Sequence, residues 1–175
     1  MSELFSIQLQ NRQQQGRDGV WLDLPTTTEQ VQAALRQIGI SSDNPQGLFI
    51  SGYFAEEEKR FAIPYNMVLA SNVDELNFLA SRLETLSTGE RTELNAALQA
   101  PQSELFSIGR ITDFPENVDY YVHLPDVHGP AQLGDYYLNR SGMVDMPEEW
   151  KGGIDTAQFG RYVGQQEQGA FTQYG

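Results

Sequence analysis

The chain has 175 residues, of which 39% are hydrophobic and 11% are aromatic, so it can form one ordinary domain or two to three small ones with packed cores. It contains no cysteine, which excludes both a disulfide framework and a zinc site built on cysteine. Its 24 acidic residues outnumber 11 basic residues, and the resulting net charge of −13 disfavours direct binding to DNA or RNA.

The sequence shows no signal-peptide pattern at the N-terminus. It also has no apolar run near the ~18 residues that a membrane span needs. We therefore expect a soluble protein of the reducing cytoplasm that does not bind membranes. The negative charge rises along the chain, from −2 over residues 1–53 to −4 over 54–102 and −7 over 103–175.

The first part of the chain predicts a small unit of strands and one helix. Phe5, Ile7 and Leu9 alternate with polar residues, which is the period of a half-buried strand. A turn over residues 11–19 and a second strand over 20–24, ended by Pro25, should follow. Apolar residues at helical spacing up to Gly39 predict a helix, and residues 47–53 predict a third strand.

The middle of the chain predicts helices. Asn72 with Glu75 three residues later is typical of a helix start, and leucines at helical spacing follow it up to Leu86. Ser87 and Glu90 repeat this pattern and predict a second helix, which ends before Pro101.

The hexamer SELFSI occurs twice, at residues 2–7 and 103–108, and each copy is followed by a Leu-Pro pair, at 24–25 and 124–125. This parallel predicts a second sheet near the C-terminus, with strands at 103–108 and 120–124, a turn over 112–117, and a closing strand at 170–172. Helices are predicted over 130–140, at 147–150 and after Asp155. The predicted fold class is therefore α+β. Two small sheet-plus-helix domains, 1–60 and 103–175, flank a helical domain, 61–102.

Residues suited to catalysis are few. His123 and His128 lie on either side of Asp126, but their spacing matches no metal-ligand pattern, and structural roles are favoured for both histidines. The sequence has no phosphate-binding loop, nucleophile elbow or HExxH motif. We expect no catalytic residues, no cofactor and no metal, and an enzyme using these three residues remains the least favoured alternative.

Several short motifs follow one another in an order that resembles the ArdA antirestriction proteins of conjugative elements and phages. The segment GVWLDLP at residues 19–25, followed by a helix, and the helical stretch 73–98 are similar to the family. The C-terminal motifs are DYY at 119–121, LGDYY at 133–137, SGM at 141–143, MPEE at 146–149, FGR at 159–161 and GAFTQYG at 169–175.

The resemblance implies an elongated protein of three parts that forms a homodimer through its C-terminal part. It also implies an acidic surface that imitates the phosphate backbone of DNA. Such a DNA mimic occupies the DNA-binding groove of type I restriction–modification enzymes, especially the methyltransferase core, and performs no reaction. An acidic adaptor for another DNA-binding protein is the alternative.

Acidic residues of the middle and last segments are the candidate contacts with the partner. For each one alone, solvation or helix capping is the simpler interpretation, so only the set carries the prediction. The set is Glu84, Glu90, Glu93, Asp113, Glu116, Asp119, Asp126, Asp135, Asp145, Glu148 and Glu149. Five aromatic residues are expected in the core, namely Trp21, Phe106, Tyr137, Trp150 and Phe159.

Overall fold

The computed structural model describes residues 3–14, 18–41 and 45–175, and the chain separates into two compact units. The first unit comprises Met1–Arg91 and Leu105–Val118, and the second comprises Thr92–Glu104 and Asp119–Gly175. The first residue of the SELFSI repeat and part of the predicted turn over 11–19 lie outside the described residues. The three-domain division at residues 60 and 102 stays a prediction.

The first unit contains a three-stranded antiparallel sheet in the order β2-β1-β3. Its strands are β1 (Phe5–Asn11), β2 (Val20–Leu24) and β3 (Leu48–Phe54), which confirms the three predicted strands. Ile7 lies opposite Leu22 on one side and Tyr53 on the other. Because side chains alternate along a strand, the apolar residues of β1 share one face, and Ile7 and Leu9 are fully buried there.

The helix α1 (Thr28–Gln37) follows β2 as predicted, and its start is set by a capping box. The Thr27 hydroxyl accepts a hydrogen bond from the Gln30 amide, and the Gln30 side chain accepts one from the Thr27 amide. The helix ends at Gln37, and Gly39 just beyond it has a φ of +70°, a left-handed conformation that glycine adopts without a steric penalty.

Three further helices follow the sheet. They are α2 (Tyr65–Leu69), which the sequence pattern did not predict, α3 (Val73–Glu84) and α4 (Thr88–Gln99), which it did. The Asn72 side chain caps α3 by accepting a hydrogen bond from the Glu75 amide at 2.9 Å. The leucines of α3 are fully buried and form the centre of the first unit's core. α4 begins in the first unit, and its residues from 92 onward belong to the second.

The second SELFSI copy is not a strand, so this prediction was wrong. Its second serine, Ser107, caps a helix, α5 (Ile108–Thr112), by accepting a hydrogen bond from the Arg110 amide. A second short helix, α6 (Phe114–Asn117), occupies the predicted turn. α5 packs against α3 in the first unit, which buries Ile111 and places this segment in a helical environment without strand partners.

The second unit is helical in the part of it that the structure describes, so the predicted C-terminal sheet is a further correction. Its helices are α7 (Pro130–Asp135), α8 (Glu148–Lys151) and α9 (Thr156–Gln166), at the three predicted places. A π-helical turn, Tyr136–Arg140, continues α7. α7 and α9 form the most extensive helix–helix contact in the molecule. The fold as a whole is mixed α+β, as predicted.

The two remaining predicted strands, 120–124 and 170–172, were wrong as well. Val118–Tyr120 forms a 3-10 turn, and the segment after it is irregular. The C-terminal residues close a tight turn, in which the Thr172 amide donates to the Gly175 carbonyl at 2.8 Å. The two segments meet through the imidazole of His123, whose Nε2 lies 2.7 Å from the Tyr174 carbonyl oxygen, and no backbone ladder joins them among the described residues.

The aromatic residues expected in the core are mostly outside it. Trp21, Phe106 and Trp150 have 50%, 67% and 66% of their surfaces exposed, and Tyr137 and Phe159 are half-buried. The Arg110 guanidinium stacks on one face of the exposed Phe106 ring, 4.5 Å from its centre. The cores are built instead from leucine, isoleucine and valine together with Phe5, Phe61 and Phe114.

Candidate functional site

Negative charge is unevenly divided between the two units. The first unit has 14 acidic and 8 basic residues, a balance of −6, whereas the smaller second unit has 10 acidic and 3 basic residues, a balance of −7. The second unit is therefore the more strongly acidic for its size, and seven of the eleven predicted contact residues belong to it.

Most basic side chains are engaged inside their own unit. Ion pairs join Lys59 to Glu56 at 3.0 Å and Lys151 to Glu148 at 2.6 Å. Arg91 donates to two backbone carbonyls, those of Leu83 and Leu86, each at 3.3 Å. Since these cations neutralise neighbours or satisfy carbonyl groups, they do little to screen the exposed carboxylates elsewhere on the surface.

Four predicted contact residues lie in the first unit: Glu84 at the end of α3, Glu90 in the first turn of α4, Asp113 between α5 and α6, and Glu116 in α6. Glu116 forms an ion pair with Arg82 of α3, and this pair links α3 to α6. Asp113 and Glu116 are exposed, whereas Glu84 and Glu90 are half-buried.

Glu90 has a clear structural role. Its carboxylate accepts hydrogen bonds from the Ser87 hydroxyl at 2.7 Å and the Ser87 amide at 2.8 Å, while the Ser87 hydroxyl accepts one from the Glu90 amide. This reciprocal cap fixes the start of α4, and its hydrogen bonds lower the pKa of Glu90. Glu90 is thus a capping residue that also presents a negative charge.

The seven predicted contact residues of the second unit are spread over several elements. Asp126, Asp145 and Glu149 are exposed on loops and on the first turn of α8. Of the others, Glu93 lies on α4, Asp135 forms an ion pair with Arg140 at 3.5 Å, and Glu148 forms one with Lys151. Asp119 lies in the 3-10 turn Val118–Tyr120, and its side chain lies outside what the structure describes.

The carboxylates do not converge on a metal-binding arrangement. Among residues 3–14, 18–41 and 45–175, no three His, Asp or Glu side chains are grouped so that they could hold a metal ion. His123 contacts the Tyr174 carbonyl, and the exposed His128 contributes its backbone amide to a hydrogen bond with Gln132. The arrangement of His123, Asp126 and His128 thus gives no support to the enzyme alternative.

The second unit also has a cavity that the sequence patterns did not predict. It has a volume of about 550 Å³ and is lined by the C-terminal half of α4, residues 120–124, the α7 segment and the C-terminal residues. Glu93 lines it, as does Glu167, an exposed acid that was not among the predicted contacts. The tyrosine pairs at 120–121 and 136–137 are the sequence signal for this cavity, but the pattern around the first pair predicts a strand.

No helix in the described part of the chain is long and apolar enough to cross a membrane. A search among curated proteins gives no match. A sequence model of the family described as antirestriction protein (ArdA) matches residues 15–175, nearly the whole chain. The chain therefore belongs to the ArdA antirestriction family.

Proposed function

We propose that this chain inhibits type I restriction–modification enzymes by occupying their DNA-binding groove with carboxylates in place of DNA phosphates. The observation that carries the proposal, together with family membership, is the unbalanced acidity of the second unit. Two of its three basic residues, Arg140 and Lys151, pair with neighbouring acids, whereas Asp126, Asp145 and Glu149 extend into solvent.

A DNA-binding groove favours this kind of ligand for an electrostatic reason. Duplex DNA has one negative charge per about 1.7 Å of its axis, and the proteins that hold it neutralise those charges with lysine and arginine. Carboxylates on a folded surface interact with the same cations. Because the acids of this chain lie on the helices and short loops of folded units, ordering them on binding costs less entropy than ordering an acidic tail.

The proposal assigns no reaction to the chain. Inhibition needs only occupancy of the groove, so catalytic residues, a cofactor or a metal play no part, and the partner is the methyltransferase core in the cytoplasm. We further propose a homodimer formed through the C-terminal unit, because a two-fold arrangement would double the length of the acidic surface.

The test is an inhibition assay with a purified type I enzyme, measuring both DNA cleavage and DNA methylation. We expect inhibition that increases with the concentration of this protein and weakens as salt rises from about 50 to 200 mM, since ionic contacts are screened. A magnesium-dependent type II endonuclease is the control, because it reveals inhibition that arises only from Mg²⁺ binding by the acids.

Two outcomes would contradict the proposal. The first is full cleavage and methylation with the protein in large excess over the enzyme. The second is equal inhibition of the type II control. Capture of a different DNA-binding protein from lysate at low salt, with the type I enzyme left unbound, would favour the acidic adaptor instead.

A further inference from the structure

The cavity of the second unit has the size of a ligand-binding site. Its volume of about 550 Å³ lies within the range of roughly 300–1,000 Å³ that is usual for pockets that bind drug-sized molecules. Leu133 and Val127 are buried and contribute apolar surface, and the half-buried residues of α4 form one wall. The cavity is thus a concave and mostly apolar site, distinct from the exposed acids Asp126, Asp145 and Glu149 on which the proposed DNA mimicry rests.

The C-terminal turn forms another wall, and it is held in place by specific contacts. The Tyr174 carbonyl lies 2.7 Å from Nε2 of His123, and the Thr172 hydroxyl donates to the Gly175 carbonyl at 3.0 Å. Gly175 packs so closely that a Cβ there would lie 2.9 Å from Cα of Pro125. Because this wall is fixed within the unit, the cavity is preformed and would bind a ligand without the cost of ordering the turn.

The lining of the cavity is suited to a cation. Among the described residues that line it are two carboxylates, Glu93 and Glu167, and no lysine or arginine. Five aromatic rings accompany them, and the faces of such rings attract cations. The negative charge of Glu167 already acts within the site: burial and, second, Glu167 raise the pKa of Tyr137. The rings belong to Tyr120, Tyr121, Tyr136, Tyr137 and Phe171.

One of these rings already binds a guanidinium group. Cζ of Arg140 lies 5.4 Å from the centre of the Tyr136 ring, while Nε of the same arginine pairs with Asp135. The planar guanidinium group of arginine stacks on aromatic rings and can donate two parallel hydrogen bonds to a carboxylate. The ammonium group of lysine is a compact and more strongly hydrated point charge. A site that combines tyrosine rings with two carboxylates therefore fits arginine better than lysine.

We propose that the cavity binds an arginine-bearing segment of the partner protein, with the guanidinium group between the aromatic rings and the carboxylates of Glu93 and Glu167. The identity of that partner rests on the proposed function, because the DNA-binding groove of a restriction enzyme supplies arginine. The cavity would add specific recognition of one side chain to the diffuse attraction between the acidic surface and a basic groove.

The direct test uses the full chain labelled with ¹⁵N and a capped Gly-Arg-Gly peptide, with the same peptide containing citrulline as the neutral control. We expect amide shifts confined to residues that line the cavity, and about tenfold weaker binding of the citrulline peptide, which lacks the cationic charge. Equal binding of the two peptides, or shifts spread over the acidic loops and α8, would overturn the proposal.

Variants locate the binding group. Glu167→Gln removes an exposed carboxylate at the end of α9 and should weaken binding of the arginine peptide about threefold to tenfold. Glu58→Gln removes a similarly exposed carboxylate from the first unit, which does not line the cavity, and should leave peptide binding unchanged. Equal weakening by both variants would show attraction by net charge only and would contradict the proposal.

The same measurements separate this inference from the proposed function. An unmodified chain that inhibits the type I enzyme but binds no arginine peptide overturns the inference and leaves the proposed function standing. A chain that binds the peptide at the cavity but does not inhibit the enzyme overturns the proposed function and leaves the binding of arginine at the cavity standing. A cavity filled by a second copy of the chain would appear as concentration-dependent shifts of the lining residues without peptide, and it too would overturn the inference.

Discussion

Gly134 of α7 and Gly160 of α9 face each other where the two helices cross. A Cβ on Gly134 would overlap the Thr156 carbonyl, and a Cβ on Gly160 would overlap the Pro130 carbonyl and lie 2.7 Å from the Gly134 amide nitrogen. The backbones of the two helices are therefore in direct contact. Both glycines fall within the motifs LGDYY and FGR, and their role is to permit this close packing.

We expect Gly134→Ala and Gly160→Ala each to destabilise the second unit by about 3 kcal/mol or more, because rigid backbone, and not a flexible side chain, opposes the added methyl group. The measurement is urea unfolding followed by circular dichroism. Gly152→Ala is the matched control, since nothing lies within 4 Å of a Cβ at that position. Equal stability of all three variants would show that the helices can separate without cost.

Tyr53 of β3 places its hydroxyl in a buried position without a hydrogen-bond partner among the described residues. Removing an unsatisfied buried hydroxyl relieves its desolvation cost, so Tyr53→Phe should raise the free energy of unfolding by up to about 1 kcal/mol at neutral pH. Tyr65→Phe, at an exposed ring, is the control and should be neutral. A loss of stability in Tyr53→Phe would mean that the hydroxyl has a partner after all.

The same residue predicts how stability changes in alkali. Burial raises the pKa of Tyr53 from 10.0 to about 12, although the positive charge of Arg60 opposes this shift. Because the folded state holds the phenol proton more tightly, the stabilisation is complete below pH 10.0 and is lost as the pH rises towards about 12. The difference in unfolding free energy between Tyr53→Phe and the unmodified chain should therefore grow over this range. No change with pH would contradict the burial of the hydroxyl.

The cap between Ser87 and Glu90 predicts that the stability of the fold falls at acidic pH. The hydrogen bonds from Ser87 lower the pKa of Glu90 below its ordinary value of 4.5, so the ionised carboxylate stabilises the fold above that pH. This stabilisation is lost as the pH falls below 4.5 through the lowered pKa. We expect Glu90→Gln to lower the unfolding midpoint in urea at neutral pH and to have a smaller effect in acid. Glu58→Gln controls for loss of one negative charge, and an equal effect of both variants would argue against the cap.

The positions of the acidic residues, and not only the net charge, should determine how strongly this protein inhibits the restriction enzyme. The double variant Asp145→Asn with Glu149→Gln removes two exposed charges of the second unit and should weaken inhibition about tenfold at low salt. Glu57→Gln with Glu58→Gln removes the same charge from an exposed turn outside the predicted set and should weaken it less. The measurement is the inhibitor concentration that halves DNA cleavage, and equal losses would contradict the predicted contact set.

The family and the local elements followed from the sequence because their signals are local. Alternating residues in β1, the capping pairs Asn72 with Glu75 and Ser87 with Glu90, and the apolar spacing of α3 act over fewer than five positions. The sequence also identifies the acidic residues directly. It does not identify their ion-pair partners, since Arg82 and Glu116 meet only after α3 and α6 have folded.

The two SELFSI copies show what only the tertiary structure decided. In the first copy, Phe5 is almost fully buried and Ser6 donates to Asp23 on the neighbouring strand at 2.9 Å. In the second, Phe106 is exposed beneath Arg110, and Ser107 caps α5. The last three residues of the hexamer form a strand at 5–7, where β2 and β3 supply hydrogen-bond partners on both sides. The same three residues lead into a helix at 106–108, where α3 supplies an apolar surface. A strand cannot satisfy its backbone alone, so its formation depends on distant segments that the local sequence does not contain.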